Sequence, residues 1–94
     1  MMVKITYSKT FLKRYKKLKK GNKELNRRIE IFIEKFVENP FYSGLETHKI
    51  FLDSGYVYSS RVTGDIRILW RFINDEEVFF QSIGGHEGKH SVYR

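Results

Sequence analysis

The strongest constraint on the fold is the second half of the chain, where three runs of aromatic and β-branched residues follow one another closely. The runs cover residues 56–62, 65–73 and 78–83, with Thr63-Gly64 and a polar stretch, 74–77, between them. Such residues suit a pleated, half-buried surface, and short polar connections join antiparallel neighbours. The pattern therefore predicts a three-stranded antiparallel meander.

In the middle run, two kinds of side chain alternate with a period of two. Successive side chains of a strand point to opposite faces of the sheet, so one face is largely aromatic and the other carries two guanidinium groups. If helices cover the aromatic face, the arginine face is open. One face takes Ile66, Ile68, Trp70 and Phe72, and the other takes Arg67, Leu69 and Arg71.

The first half of the chain predicts a strand and two helices. Ser8 and Asn22 suit the N-caps of the helices, Gly21 suits the end of the first, and Pro40 stops the second. Because the connection between them is short, the helices form an antiparallel hairpin. The strand alternates Val3, Ile5 and Tyr7 with polar residues, and the helices carry apolar faces of Phe11, Leu12, Tyr15 and Leu18, and of Leu25, Ile29, Phe32, Ile33, Phe36 and Val37.

Residues 41–55 contain several turn formers and are expected to be mostly loop. The order of elements then predicts an α+β fold: an N-terminal strand, a two-helix antiparallel hairpin and a three-stranded meander, β-α-α-β-β-β, with the helices on one face. A chain of 94 residues is expected to form a single domain, 1–94.

Composition excludes several classes of protein. The chain has no cysteine, so a disulfide framework and a thiolate zinc site are excluded. Its three histidines lack a metal-ligand spacing with a carboxylate, and we expect neither a metal nor a cofactor. No apolar stretch is long enough for a signal peptide or a membrane span, so we expect a cytoplasmic protein without a membrane partner.

Positive charge is concentrated in the predicted helices. The formal net charge is +7, and ten of the eighteen basic residues lie between Lys9 and Arg28, against a single acid, Glu24. Such density favours contact with RNA phosphates over a merely solvated lysine-rich face. The candidate RNA- or ribosome-binding residues are Lys13, Lys16, Lys17, Lys20 and Arg27, together with Lys49 from the loop.

A glycine pair and a histidine, Gly84-Gly85-His86, follow the last predicted strand. Histidine exchanges protons near neutral pH, and glycine permits close approach of the backbone to a nucleotide. The triplet therefore indicates acid–base chemistry on a phosphate, although a surface histidine in a terminal tail is the simpler alternative.

The order of these elements, together with Arg61-Val62-Thr63-Gly64-Asp65-Ile66-Arg67-Ile68-Leu69-Trp70, Ile83-Gly84-Gly85-His86 and Tyr93, resembles the RelE/ParE superfamily of type II toxins, and within it the RelE-, YafQ- and YoeB-like mRNA interferases. The resemblance implies a toxin held inactive by an antitoxin. In the RelE-like branch such a toxin enters the ribosomal A site and cleaves mRNA, whereas the ParE-like branch inhibits DNA gyrase and lacks the nuclease residues.

The candidate site residues match the nuclease branch of the superfamily at some positions and depart from it at others. His86, Tyr93, His48 and Asp65 fall where the nuclease branch has functional residues, but Arg61 stands where some members have a histidine. The general base is therefore not assigned by analogy, and the phosphate-binding half of the site is the better supported.

Metal-independent RNA cleavage needs a base for the ribose 2′-hydroxyl, cations for the phosphorane and an acid for the departing 5′-oxygen. Arg67 is the candidate phosphate clamp, assisted by Arg61, unless either forms a structural salt bridge with Asp65 or Glu87. His86 is the candidate for proton transfer, as acid or base.

Three further residues have two interpretations each. His48 is either the complementary base or the donor of a loop hydrogen bond, and Asp65 either orients a histidine or serves the turn. Tyr93 either stacks on a base or packs on the sheet edge. Expected partners are an antitoxin whose acidic segment wraps the toxin, the ribosome with its mRNA, and operator DNA only through the antitoxin complex. The alternatives are a gyrase-directed toxin of the ParE type and an inactive regulatory relative.

Overall fold

A computed structural model describes residues 2–85 and Val92. The helices are α1 (Lys9–Lys19) and α2 (Lys23–Glu38), followed by a 3-10 turn at Ser43–Leu45. The strands are β1 (Lys4–Tyr7), β2 (His48–Leu52), β3 (Gly55–Arg61), β4 (Ile66–Asn74) and β5 (Glu77–Gly85), in the sheet order β1-β5-β4-β3-β2. The α+β fold predicted from the sequence is confirmed.

Local signals set the helix ends as predicted. The Ser8 hydroxyl accepts a hydrogen bond from the Phe11 N–H at 2.8 Å, and the Asn22 side chain accepts one from the Leu25 N–H at 3.0 Å. Gly21, between the helices, has a φ of 69°, the left-handed conformation that favours glycine. These caps satisfy backbone donors that a helix start leaves unpaired.

The expectation that residues 41–55 are mostly loop was wrong for β2. This strand pairs antiparallel with β3 and extends the meander to four strands. It lacks a clear amphipathic pattern, because Ile50 and Leu52 pack on one face while Phe51, on the other, is 80% exposed. Pairing with β3 makes this segment a strand, and pairing is not visible in local sequence.

The sheet is otherwise an antiparallel meander closed by one parallel pair. β3, β4 and β5 pair antiparallel in succession, and β1 lies parallel to β5, with Ile5 opposite Val78. Gly84 and Gly85 are part of β5 and lie opposite Arg67 and Ile66, so the glycine pair does not follow the last strand, as the sequence predicted, but belongs to it. The longer pairing with β4 carries the strand through both glycines.

The helices pack on the aromatic face of β4, as predicted. Trp70 is fully buried, with its ring edge-on to Phe36 at 4.9 Å between centroids and stacked on Tyr58 at 4.8 Å. Phe72, on the same face, lies near the end of the strand and is 38% exposed. The core consists of Phe11, Leu25, Ile29, Phe32, Phe36, Leu45, Ile68, Trp70, Val78, Phe80 and Ile83.

The arginine face is partly covered, contrary to the expectation that it is open. Leu69 is buried there with Val57 and Val92, and the Val92 N–H donates to the Gly85 carbonyl at 2.8 Å. Val92 therefore covers part of this face, which no short-range signal indicated. Among the described residues, no helix is long and apolar enough to cross a membrane.

Candidate active site

The sheet brings Arg61 and Arg67 together. They lie directly opposite each other in β3 and β4, and Arg67 lies opposite Gly84 of β5. Residues opposite each other in neighbouring strands share a face, and like charges in that arrangement are destabilising unless an anion compensates them. The sheet thus presents two guanidinium groups beside a strand position that has no side chain.

Arg61 is held by a carboxylate that the sequence interpretation missed. Its Nη1 donates to Glu46 Oε2 at 2.7 Å, and its Nε donates to the Thr63 carbonyl at 3.1 Å. A salt bridge to Asp65 or Glu87 was the alternative inferred for Arg61; its partner is instead Glu46, just before β2, and Glu87 lies outside the described residues. The loop that was expected to be irregular therefore supplies an acid to the site.

Glu46 sits in an unusual backbone conformation. Its φ is 47° and its ψ is 43°, a left-handed geometry that glycine adopts more readily than glutamate, and its N–H donates to the Ser43 carbonyl at 3.1 Å. The hydrogen bond from Arg61 and its charge lower the pKa of Glu46, and the charges of Arg67 and His48 act in the same direction. Glu46 is thus a carboxylate kept ionised within a cationic cluster.

His48 lies on the same face as the arginines, because it pairs with Ser59, which in turn pairs with Leu69. Its Nδ1 is 3.1 Å from the Glu46 carbonyl oxygen. A carbonyl only accepts, so Nδ1 carries the proton, and in the neutral ring Nε2 holds the lone pair. His48 therefore makes the loop hydrogen bond that was one interpretation of this residue. Its Nε2 stays able to accept a proton, which the other interpretation, a complementary base, requires.

Arg67 has an unsatisfied donor. Its side chain is half-buried, and its buried Nε has no hydrogen-bond partner among the described residues. Leaving a buried charged donor unpaired costs free energy, and an anion bound at the guanidinium would remove that cost. The half-buried guanidinium of Arg67 is therefore a candidate anion-binding group.

Asp65, which immediately precedes β4, lies beside Gly85, the last residue of β5. A methyl group built on Gly85 would come within 3.2 Å of Asp65 Oδ2, so glycine is the residue that leaves room for this carboxylate. The Thr63 hydroxyl accepts from the Asp65 and Ile66 N–H groups at 3.2 and 3.0 Å and holds the turn. The Asp65 carboxylate therefore lies at the end of the sheet where β5 ends.

Two predicted site residues, His86 and Tyr93, lie outside the described residues. Gly85, which precedes His86 in the chain, is the last residue of β5, and Val92, which precedes Tyr93, packs against Leu69. The roles assigned to both residues from the sequence stay predictions.

A chain of hydroxyl groups connects the segment that carries Glu46 and His48 to the core. Trp70 Nε1 donates to Ser60 Oγ at 2.8 Å, Ser60 Oγ lies 2.6 Å from Thr47 Oγ1, and Thr47 Oγ1 donates to the Pro40 carbonyl at 2.7 Å. Since Thr47 gives its one proton to a carbonyl, the proton between the two hydroxyls comes from Ser60. Thr47, between the two site residues, is thereby fixed to the core.

The basic residues predicted to bind RNA or the ribosome divide into three groups. Arg27 is paired with Glu24 at 2.7 Å, which lowers the pKa of that carboxyl. Lys49 lies on the opposite face from His48, with Nζ 4.4 Å from the centre of the Tyr56 ring. The third group is exposed on or just after α1 and consists of Lys13, Lys16, Lys17 and Lys20.

Within residues 2–85 and Val92, no cluster of histidine and carboxylate side chains could hold a metal ion. The side chains that the sheet brings together carry guanidinium, carboxylate and imidazole groups. Groups of these kinds are able to bind a phosphate and to exchange protons with a substrate.

No protein-family model and no curated protein matches the chain. Several solved structures match it over most of its length. A YoeB/ParE toxin from Agrobacterium tumefaciens superposes with a TM-score of 0.74 at 15% identity, covering 90% of this chain and 100% of the other. The E. coli DinJ-YafQ toxin-antitoxin complex gives 0.72 at 18%, covering 92% and 94%, and the YoeB-YefM complex from Staphylococcus aureus gives 0.71 at 19%, covering 93% and 100%. The chain has the fold of these toxins, which confirms the resemblance to the RelE/ParE superfamily at the level of the fold.

Proposed function

We propose that this chain is the toxin of a type II toxin–antitoxin pair, and that it cleaves mRNA in the ribosomal A site without a metal ion. The observation that carries the proposal is the pair of opposed arginines beside Glu46 and His48, with the buried Nε of Arg67 unpartnered among the described residues. The fold shared with YafQ and YoeB toxins supports it. Action at the ribosome would make the protein cytoplasmic.

In the proposed reaction, the ribose 2′-hydroxyl gives its proton to Glu46, and its oxygen forms a bond to phosphorus. The charge that develops on the phosphoryl oxygens is stabilised by Arg67 and Arg61. The bond from phosphorus to the 5′-oxygen then breaks, and that oxygen takes a proton from His86. The products are a 2′,3′-cyclic phosphate and a 5′-hydroxyl.

Glu46 is preferred to His48 as the base for a positional reason. Arg61, one of the two proposed phosphate ligands, donates to the Glu46 carboxylate at 2.7 Å, so this carboxylate lies beside the proposed phosphate site. His48 donates to the Glu46 carbonyl and so holds the segment that carries the base. This assignment adds a residue that the sequence interpretation did not include.

The proposed antitoxin supplies an acidic segment that covers the basic helices and the arginine face. Carboxylates on such a segment would occupy the guanidinium groups that the phosphate needs. A toxin that acted only by binding gyrase would not need a carboxylate beside paired arginines, so the site favours the nuclease over the ParE alternative.

Primer extension on a reporter mRNA, with and without translation, tests the proposal. We expect cleavage only during translation, and Arg67→Ala to lower the cleavage rate at least about a hundredfold. Arg71→Ala is the matched control, because Arg71 is exposed on the same strand and contacts Phe79 instead. Intact mRNA with the wild-type toxin, or full cleavage by the Arg67 variant, would refute the assignment.

A further inference from the structure

A groove runs from the candidate active site along α2. Its two walls are α2 on one side and the 3-10 turn with the end of β3 on the other, and its volume is about 290 Å³. Cations line its rim and apolar side chains form its floor. The rim carries Arg28, Lys35 and Arg61, and the floor includes Ile31, Leu45 and Val62.

The charge of the groove selects an anion. Three cations line it, and none of its described lining residues is a carboxylate. Arg61 is shared by the groove and the candidate active site, since it lines the groove and also donates a hydrogen bond to Glu46. An extended strand of phosphates bound at Arg67 and Arg61 would therefore continue towards Lys35 and Arg28.

The wall of the groove contains a positioned aromatic ring. Tyr42 is 43% exposed, and Lys35 Nζ lies 4.7 Å from the centre of its ring. A methyl group built on Gly44 would come within 2.8 Å of Tyr42 Cε1, so the absence of a side chain at Gly44 allows the ring its place. An aromatic ring beside cations is a common contact for an unpaired base.

The size of the groove distinguishes a nucleotide from a protein segment. Its volume of about 290 Å³ is at the small end of the range for ligand sites, which suits one nucleotide but not the apolar face of a helix. We propose that this groove binds the nucleotide that flanks the scissile phosphate in a single-stranded RNA substrate. The inference rests on the proposed function and adds a substrate subsite to it.

The test uses the full chain and a 2′-fluoro RNA tetranucleotide, which lacks the 2′-hydroxyl needed for cleavage, with the matching dinucleotide for comparison. Backbone amide shifts report binding. We expect the tetranucleotide to shift the amides of Ile31, Gly44 and Thr63 and to bind more tightly than the dinucleotide. Arg28→Gln combined with Lys35→Gln should weaken tetranucleotide binding about tenfold and lower the salt slope by about 1.4.

The control is Lys4→Gln combined with Arg71→Gln, which removes the same charge from exposed residues outside the groove. It should keep the wild-type preference for the tetranucleotide. Tyr42→Ala, which changes no charge, should lower that preference several-fold through lost base contact.

Three results would overturn the inference: no shift of groove amides with the tetranucleotide, equal losses in the groove and control variants, or groove shifts caused by an acidic peptide and not by RNA. Failure of the proposed function is distinguishable. It would appear as uncut mRNA in the translation assay while the groove amides still respond to RNA.

Discussion

Replacing Ser60 by alanine tests whether the buried hydroxyl chain stabilises the fold. Ser60 and Trp70 are both fully buried, and the Trp70 Nε1 donor reaches only the Ser60 hydroxyl among the described residues. Alanine leaves that donor unsatisfied, which costs about 1–3 kcal/mol. It also removes the hydrogen bond from Ser60 to Thr47, which is worth about 1 kcal/mol. We therefore expect the free energy of unfolding to fall by about 3 kcal/mol.

Urea denaturation measures this loss, and thermal unfolding should show a fall in Tm on the order of 10–20 °C. Ser54→Ala is the matched control, because Ser54 is exposed in the turn between β2 and β3, and it should change the free energy of unfolding by less than about 0.5 kcal/mol. A double-mutant cycle isolates the hydrogen bond. With Trp70→Phe in the background, no indole donor is left unpaired, and Ser60→Ala should cost only about 1 kcal/mol. An equal cost in both backgrounds would refute the reasoning.

Four further predictions concern the core, the site and the basic helix. Phe36→Ala empties a fully buried position against Trp70 and should lower the free energy of unfolding by about 3–5 kcal/mol in urea titrations. Glu46→Gln should lower the cleavage rate in primer extension by about 10²–10⁴-fold with the fold intact, and unchanged cleavage would exclude Glu46 as the base. Because folding lowers the pKa of Glu46, its carboxylate should stabilise the folded protein at any pH above the ordinary carboxyl pKa, and this effect should be lost as the pH falls through the folded value. The difference in the free energy of unfolding between the wild type and Glu46→Gln, measured against pH, should therefore shrink only in acid. Lys16→Gln combined with Lys17→Gln should leave the Tm unchanged but weaken ribosome binding and reduce its salt slope by about 1.4–1.8; an unaltered slope would place the RNA contact elsewhere.

The elements that sequence predicted correctly depend on neighbours in the chain. Ser8 and Asn22 cap their helices through bonds that span three residues, and Gly21 meets a local backbone requirement. The alternation along β4 put Trp70 and Arg67 on opposite faces because the side-chain period of a strand is two. These are short-range effects, and a single sequence contains them in full.

The elements that sequence analysis missed depend on distant contacts. Residues 48–52 become a strand only because β3 is beside them, and Val92 covers Leu69, from which it is distant in the chain. Glu46 was missed for the same reason. Its neighbour in space, Arg61, is fifteen residues away, and no motif marks a glutamate in a left-handed conformation.

The amino-acid sequence by itself determined the helices, most strands and the face on which the arginines lie, because capping and side-chain alternation act over a few residues. Only the tertiary structure decided which groups meet Arg61 and Arg67. Strand pairing set Arg61 opposite Arg67, brought Glu46 and His48 to their side, and left Arg67 Nε buried without a described partner. The chemistry of the site depends on these contacts, because charge–charge energy is set by distance in space and not by separation along the chain.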